Sequence, residues 1–423
     1  MKLYPHQEAA LEQTAENANA LYALDMGLGK TFIGSEKMKQ IGNCTNLLVC
    51  QKSKIDDWKA HFEEHYPSYS VFDLTIPKSL IEFIKNQTND YMIGVINYEL
   101  LFRRPELKNL HGFTLMLDES SLIQNEGTKR AKFILQMDYS NVILLSGTVV
   151  NGNYEKLWSQ CHLLGWKIPK NLFYNHYVQF ETVEVDGFKH KVIVGYKNAE
   201  RLKRKLREYG GVFVKTEEVF DLPSQNDVLI WVDQTKEYRS FCKHPIITVG
   251  ERELVGDFQL TERMYKKMLC SQFSEPKLKA FVDLVESTTD RLVVFYTYTG
   301  ELEAMARALE DAGIERKFSI VNGETKNLFA YDGEDDSITF VQYQAGAMGL
   351  NLQRANKIIY FSLPEGWSEG FEQSRKRIHR IGQERPCFYY ILLTRDSIEG
   401  EILDRLDVKK QRTDALFEEG KEQ

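Results

Sequence analysis

Short apolar runs bounded by turn residues recur along the chain, and stretches with helical spacing lie between them. In the first half the runs are ALYAL (20–24), NLLVC (46–50), MIGVIN (92–97), FTLMLD (113–118) and NVILLS (141–146). In the second half they are RLVVFYT (291–297), FSIVN (318–322), SITFVQ (337–342), KIIYFS (357–362) and FYYILL (388–393). Near-continuous runs of Val, Ile, Leu and Phe suit strands covered on both faces. Their alternation with helical segments points to parallel α/β sheets. The pattern therefore predicts two sheets, each of about five or more strands. Residues 150–275 carry more charge, more aromatic side chains and a mixed helical pattern, and read as insertions plus a linker. From Asp396 to Phe417 the spacing is helical, with Ile398, Ile402, Leu406 and Leu416 on or near one stripe, which predicts a closing helix.

Composition narrows this picture. A length of 423 residues suits two or three domains. No stretch approaches the apolar length that spans a bilayer, and MKLYPHQEAALEQ lacks the apolar core of a secretory signal. A cytoplasmic protein with no membrane partner is expected. The six cysteines form no C-x-x-C pair, which argues against a zinc site or a disulfide framework; reduced, mostly buried thiols are expected. The net charge of −7 weighs mildly against a nucleic-acid partner, but local basic clusters count for more than the total. RLKRKLRE (201–208) is such a cluster, and the acidic DGEDD (332–336) offsets it in the sum. That basic stretch reads equally well as a solvated helix face or as a duplex-facing one. Tyr174, Tyr177 and Phe180 read as core.

Three stretches carry chemistry. LDMGLGKT (24–31) follows a predicted strand and precedes a helical pattern, the context of a phosphate-binding loop. Gly27, Leu28 and Gly29 would turn the backbone so that N–H groups converge on phosphate at a helix N-terminus. Lys30 would reach the β- and γ-phosphates, and the Thr31 hydroxyl would bind Mg²⁺. Leu24 stands where the plain pattern has its first glycine. Asp118 and Glu119 follow a second apolar strand, in LMLDESSLIQN. Asp118 would hold Mg²⁺ through water, and Glu119 would orient and deprotonate an attacking water. LLSGT (144–148) also ends a strand, and alone it reads as a turn.

Taken in order along nearly the whole chain, these stretches resemble the Swi/Snf-type helicase-like ATPases of superfamily 2. LYPHQ resembles the adenine-reading Q motif, with Gln7 as its glutamine. DMGLGKT resembles the family's phosphate loop, and LLVCQKSKIDDWKAHF its next motif, with Trp58 as the trailing tryptophan. LDESSLIQN resembles the acid box, LLSGTVVNGNYEKLWS the third motif, and AGAMGLNLQRANKIIYF the fifth. EQSRKRIHRIGQERPCFYYIL matches the sixth closely. The chain departs from the pattern at Gln51, Ser120, Ser121, Val149, Tyr343 and Gln344.

The resemblance implies two RecA-like parallel-sheet lobes with helical insertions and a linker between them. Lobe one would cover 1–215, with a helical insertion at about 150–215. A linker or insertion would follow over 216–273, then lobe two over 274–423 with the closing helix at about 396–417. It implies ATP and Mg²⁺ as cofactors, a monomer, and double-stranded DNA as the partner of a translocase. The small size points to a bacterial or viral source. A strand-separating DNA or RNA helicase and an ATP-switched binding module are the alternatives. In FEQSRKRIHRIGQERP (371–386), a helix turning about 100° per residue puts Gln373, Arg377 and Arg380 on one face. Gln373 would then meet the nucleotide, and Arg377 and Arg380 would neutralise the transferring phosphoryl. Ile378 and Ile381 would pack on the sheet; Arg375, Lys376, His379 and Arg385 would be solvated, or at most DNA-steering charge.

Overall fold

The computed structural model describes residues 2–86, 90–147, 152–185, 188–346, 350–366 and 368–417. The chain divides into two compact units: Met1–Val219 with Lys410–Gln423, and Phe220–Lys409.

The first unit is built on seven strands: β1 (Ala20–Leu24), β2 (Thr45–Cys50), β3 (Ser70–Asp73), β4 (Met92–Asn97), β5 (His111–Asp118), β6 (Asp138–Ser146) and β9 (Gly211–Val214). They lie in the order β3-β4-β2-β5-β6-β1-β9, and every neighbouring pair is parallel. All residues of β1 and β4 are buried, as fully apolar runs require when helices cover both faces. The helices that matter for the site are α1 (Pro5–Gln13), α2 (Lys30–Ile41) and α3 (Ile55–His65). Helix α2 lies close on the sheet because Gly34 has no side chain: a Cβ there would fall 2.9 Å from Met116 Sδ and Leu145 Cδ1. An antiparallel hairpin, β7 (Val178–Val185) and β8 (Phe188–Tyr196), stands apart from the main sheet. Tyr177 is fully buried beside it and Tyr174 half-buried, but Phe180 is exposed, contrary to the core reading. It lies on a two-stranded ribbon that joins no larger sheet. In RLKRKLRE, Arg201, Arg204 and Arg207 are exposed, while Lys203 is buried between Leu202 and Leu206.

The second unit holds β10 (Gln225–Val232), a small antiparallel hairpin β11 (Ile246–Val249) and β12 (Arg252–Val255), then β13 (Leu292–Tyr296), β14 (Phe318–Val321), β15 (Lys326–Asn327), β16 (Ile338–Gln342), β17 (Lys357–Tyr360) and β18 (Cys387–Thr394). Its sheet order is β10-β18-β17-β13-β16-β14-β15, parallel except for the last pair. All ten apolar runs are therefore strands, and each sheet gains edge strands that the pattern does not reveal. The closing helix spans Ile398–Phe417 and buries Ile398, Ile402 and Leu406; the side chain of Leu416 lies outside the described residues. A fully buried ion pair, Lys277 Nζ to Glu399 Oε1 at 2.6 Å, fastens the helix Glu275–Glu286 to its start. The cysteines are free; Cys50, Cys161, Cys270 and Cys387 are buried, Cys44 is half-buried and Cys242 is exposed. Among the described residues no helix is long and apolar enough to cross a membrane.

Candidate active site

The glycine-rich loop begins where β1 ends. Asp25 is buried there and accepts hydrogen bonds from the Thr216 backbone N–H (3.1 Å) and Oγ1 (3.2 Å), which pins the base of the loop to the segment after β9. Gly27 (φ 88°) and Gly29 (φ 76°) occupy the left-handed region that glycine enters without a Cβ penalty. Gly29 caps α2, so Lys30 and Thr31 open the helix with backbone N–H groups directed out of its N-terminus. Lys30 Nζ donates to the carbonyls of Leu24 (2.9 Å) and Asp25 (3.3 Å), which curls the ammonium back over the loop. Gly147 of LLSGT lies beside it, where a Cβ would come 3.3 Å from Lys30 Nζ. Thr148 and Val149 lie outside the described residues.

Gln7 is buried on α1 and packs on the same loop. Its Nε2 donates to Leu28 O (3.2 Å) and its Oε1 accepts from the Tyr4 N–H (2.9 Å). A ring nitrogen of His6 also meets Leu28 O, at 3.0 Å. Buried Lys37 on α2 donates to the carbonyls of Thr14 (2.5 Å) and Asn17 (3.0 Å), just past the end of α1, and burial lowers its pKa. Lys37 thereby fastens the helix that carries Gln7. Sequence reading misses it, because its partners are backbone carbonyls twenty or more residues away.

The acid pair stands at the end of β5, two strands from β1. Trp58 Nε1 of α3 donates to Asp118 Oδ2 at 2.8 Å, and Tyr98 Oη donates to Asp118 O at 2.9 Å. Burial pushes the Asp118 pKa up; the Trp58 N–H and the Lys30 charge oppose that shift. Glu119 holds φ 55° and ψ 60°, a left-handed backbone that is uncommon outside glycine. Ser120 is fully buried, with Gln160 Nε2 3.5 Å from its Oγ. Among the described residues no cluster of three or more His, Cys, Asp or Glu side chains could hold a metal by itself. Thr31 and Asp118 offer hard oxygen donors, few in number, which fits Mg²⁺ completed by water and phosphate.

In the second unit the basic run behaves differently from its helical projection. The helix Ser368–Arg375 stops at Arg375, and turns follow, so Arg377 and Arg380 do not share a helix face with half-buried Gln373. Arg377 is buried; its carbonyl accepts from the Leu352 N–H at 3.1 Å and its Nη1 lies 3.5 Å from Leu350 O. Arg380 is half-buried, and among the described residues its guanidinium has no hydrogen bond or ion pair; burial lowers its pKa. Arg375 and His379 are not solvated, since each is 6% exposed. Arg375 pairs with Asp227 of β10, and a His379 ring nitrogen lies 2.9 Å from Pro223 O on the segment that leads into that strand. Ile378 is fully buried as expected, but Ile381 is 40% exposed, because the chain has left the helix before reaching it. Lys376 is half-buried, and Arg385 pairs with Asp290 at 3.1 Å. Gln383, within the stretch that matches the sixth motif, ties this turn together: its Nε2 donates to Gln353 O (3.0 Å), Ala355 O (2.8 Å) and Ile378 O (3.2 Å). Tyr343 is core: it is buried, and its hydroxyl donates to Ser362 O at 3.0 Å.

A Gly-Lys-Thr loop at one strand end, an Asp-Glu pair at another and a second parallel-sheet unit define the core of a helicase-like ATPase. Residues 6–284 match the SNF2-related domain, and residues 276–382 match the helicase conserved C-terminal domain. The chain belongs to the SNF2-related family and is an ATPase. A Mus musculus protein, SWI/SNF-related matrix-associated actin-dependent regulator of chromatin subfamily A member 1, is 23% identical over 95% of this chain and 42% of its own length. The Schizosaccharomyces pombe SWI/SNF chromatin-remodeling complex subunit snf22 is 25% identical over 96% of this chain and 27% of its own. An Arabidopsis thaliana protein described as probable ATP-dependent DNA helicase CHR12 is 24% identical over 93% and 39%. The chain thus spans less than half the length of these relatives. The solved Sulfolobus solfataricus SWI2/SNF2 ATPase core in complex with dsDNA is 19% identical, covers 97% of this chain and 92% of its own, and superposes with a TM-score of 0.44.

Proposed function

We propose that this ATPase couples hydrolysis to movement along double-stranded DNA, remodelling forks or branches or displacing bound protein. The observation that carries the reading is that one parallel sheet sets the Gly-Lys-Thr loop after β1 and the Asp118–Glu119 pair at the end of β5, two strands away, on the same edge. Gln7 reads the adenine; Gly27, Leu28, Gly29 and Lys30 hold the phosphates. Thr31 and Asp118 would hold Mg²⁺, which supplies charge neutralisation to the phosphoryl oxygens. Glu119 orients the attacking water and takes its proton. Arg377 and Arg380 supply positive charge to the transferring phosphoryl, and Gln373 contacts the nucleotide. DNA contacts in such a motor go mainly to phosphates, so affinity falls with salt and sequence preference is weak.

The test is ATP turnover across no nucleic acid, single-stranded DNA, duplex, forked duplex and RNA. Stimulation greatest with duplex, together with triplex displacement, supports translocation. Forked-duplex unwinding without triplex displacement would instead make it a strand-separating helicase, and no stimulation by any nucleic acid would overturn the reading. Full turnover in Lys30→Ala would overturn the site assignment.

A further inference from the structure

We propose that Trp58 and Tyr98 are positioning residues for the acid pair. Trp58 fixes the rotation of the Asp118 carboxylate, and Tyr98 fixes the strained backbone on which Glu119 turns. The inference rests on the reading of Asp118 and Glu119 given above.

Three observations support it. The Trp58 ring is 3% exposed and held between neighbours: Phe62 stacks at 6.1 Å and 27°, and His61 meets its edge at 5.6 Å and 86°. The indole therefore cannot swing, and its N–H points at one oxygen, Asp118 Oδ2, at 2.8 Å. An indole N–H only donates and carries no charge. It occupies one carboxylate oxygen without competing for a cation or accepting a proton, so Oδ1 is the oxygen that would serve a metal. Hydrogen bonds that orient a metal-binding carboxylate in this way tune affinity about 10–100-fold. The third observation is Tyr98. It is fully buried, its hydroxyl donates 2.9 Å to Asp118 O, and the Glu119 carbonyl lies 3.5 Å away. Glu119 keeps φ 55° there, a conformation that persists only when its surroundings over-determine it. The two aromatic residues follow β2 and β4, the next two strands on one side of β5, so both reach the acid pair from the same flank.

Core packing alone would also bury both rings, and the experiment separates the two roles. Trp58→Phe keeps an aromatic ring and deletes the donor. In the full chain with ADP, we expect Mn²⁺ affinity, read by electron paramagnetic resonance, to fall about tenfold. Binding of a fluorescent ADP in EDTA should stay unchanged, while the melting temperature should fall by a few degrees, because the smaller ring leaves a void and Asp118 loses a donor. If Trp58→Phe does not fold, benzothienylalanine at position 58 keeps the bicyclic shape and still lacks the N–H. Tyr98→Phe should leave Mn²⁺ affinity intact and lower kcat about fivefold. Asp118→Asn is the reference. If Asp118→Asn loses Mn²⁺ while the Trp58 variants bind it like the parent, the Trp58 role is overturned. If Asp118→Asn also binds Mn²⁺ normally, it is the metal assignment of Asp118 that falls. Parental turnover in a folded Tyr98→Phe chain overturns the Tyr98 role.

Discussion

Arg375 and Asp227 form an ion pair at 2.6 Å, and the Arg375 guanidinium carbon lies 3.9 Å from the centre of the Tyr389 ring. The arginine is buried, so this is a clasp between the edge strand β10, its neighbour β18 and the turn that carries Arg377 and Arg380. Arg375→Ala removes a charge-assisted hydrogen bond and a cation–π contact together. It should destabilise the second unit by about 2–4 kcal/mol. Urea unfolding with hydrogen exchange on β10 and β18 measures this. Arg375→Lys keeps the charge but not the planar stack, and should recover only part of the loss.

Arg380 should behave in the opposite way. Its guanidinium makes no hydrogen bond or ion pair among the described residues, so Arg380→Ala should leave the melting temperature within about 1 °C of the parent. Turnover should fall about 10³-fold or more if the residue stabilises charge on the transferring phosphoryl. ATP affinity, measured by equilibrium binding, should be kept. Loss of DNA binding with normal basal hydrolysis would move Arg380 to the nucleic-acid contacts instead.

What the sequence made legible was local. Each central strand is a continuous apolar run because both its faces are covered, and Gly27 and Gly29 mark a left-handed loop in the residues themselves. The edge strand β10 escaped because QNDVLIWV alternates in exposure and opens with polar residues. The helical projection of the basic run failed because nothing between Arg375 and Ile381 announces a helix end, and Gly382 comes too late. The contacts that shape the site are long in sequence. Trp58 reaches Asp118 across sixty residues, and Thr216 reaches Asp25 across 191. No local pattern encodes such pairs; they appear only when the sheet order sets β2 beside β5 and β9 beside β1.

Gly29 faces two separate demands, and they can be taken apart. Its φ of 76° disfavours any side chain, and a Cβ would fall 2.2 Å from Gln7 Nε2. Gly29→Ala should therefore weaken ATP binding at least about tenfold, since the strain alone costs about 1–2 kcal/mol and the loop must move away from Gln7. Adding Gln7→Ala removes the clash but not the strain. The double variant should recover loop geometry only in part, and should still lack whatever Gln7 contributes to nucleotide affinity. Competition binding of ATP against GTP reads that last term: a Gln7→Ala chain that still prefers ATP as strongly as the parent would remove Gln7 from adenine reading.

His61 gives the first unit a defined acid sensitivity. It sits among Trp58, Phe62, His65 and Tyr66, with a ring nitrogen 3.0 Å from Ser35 Oγ. Burial pushes its pKa down from an ordinary 6.5 to about 4, and the like charge of His65 pushes the same way. The folded state thus binds the proton less readily than the unfolded chain. The contribution of His61 is complete above pH 6.5 and erodes as pH falls from 6.5 to about 4, below which both states are protonated. His61→Gln keeps a hydrogen-bonding group beside Ser35 and removes the titration. The variant should lose less stability than the parent between pH 7 and 4, with the difference confined to that window. Denaturant midpoints at half-unit pH steps measure it, and parallel curves for the two proteins would assign the acid sensitivity to other groups.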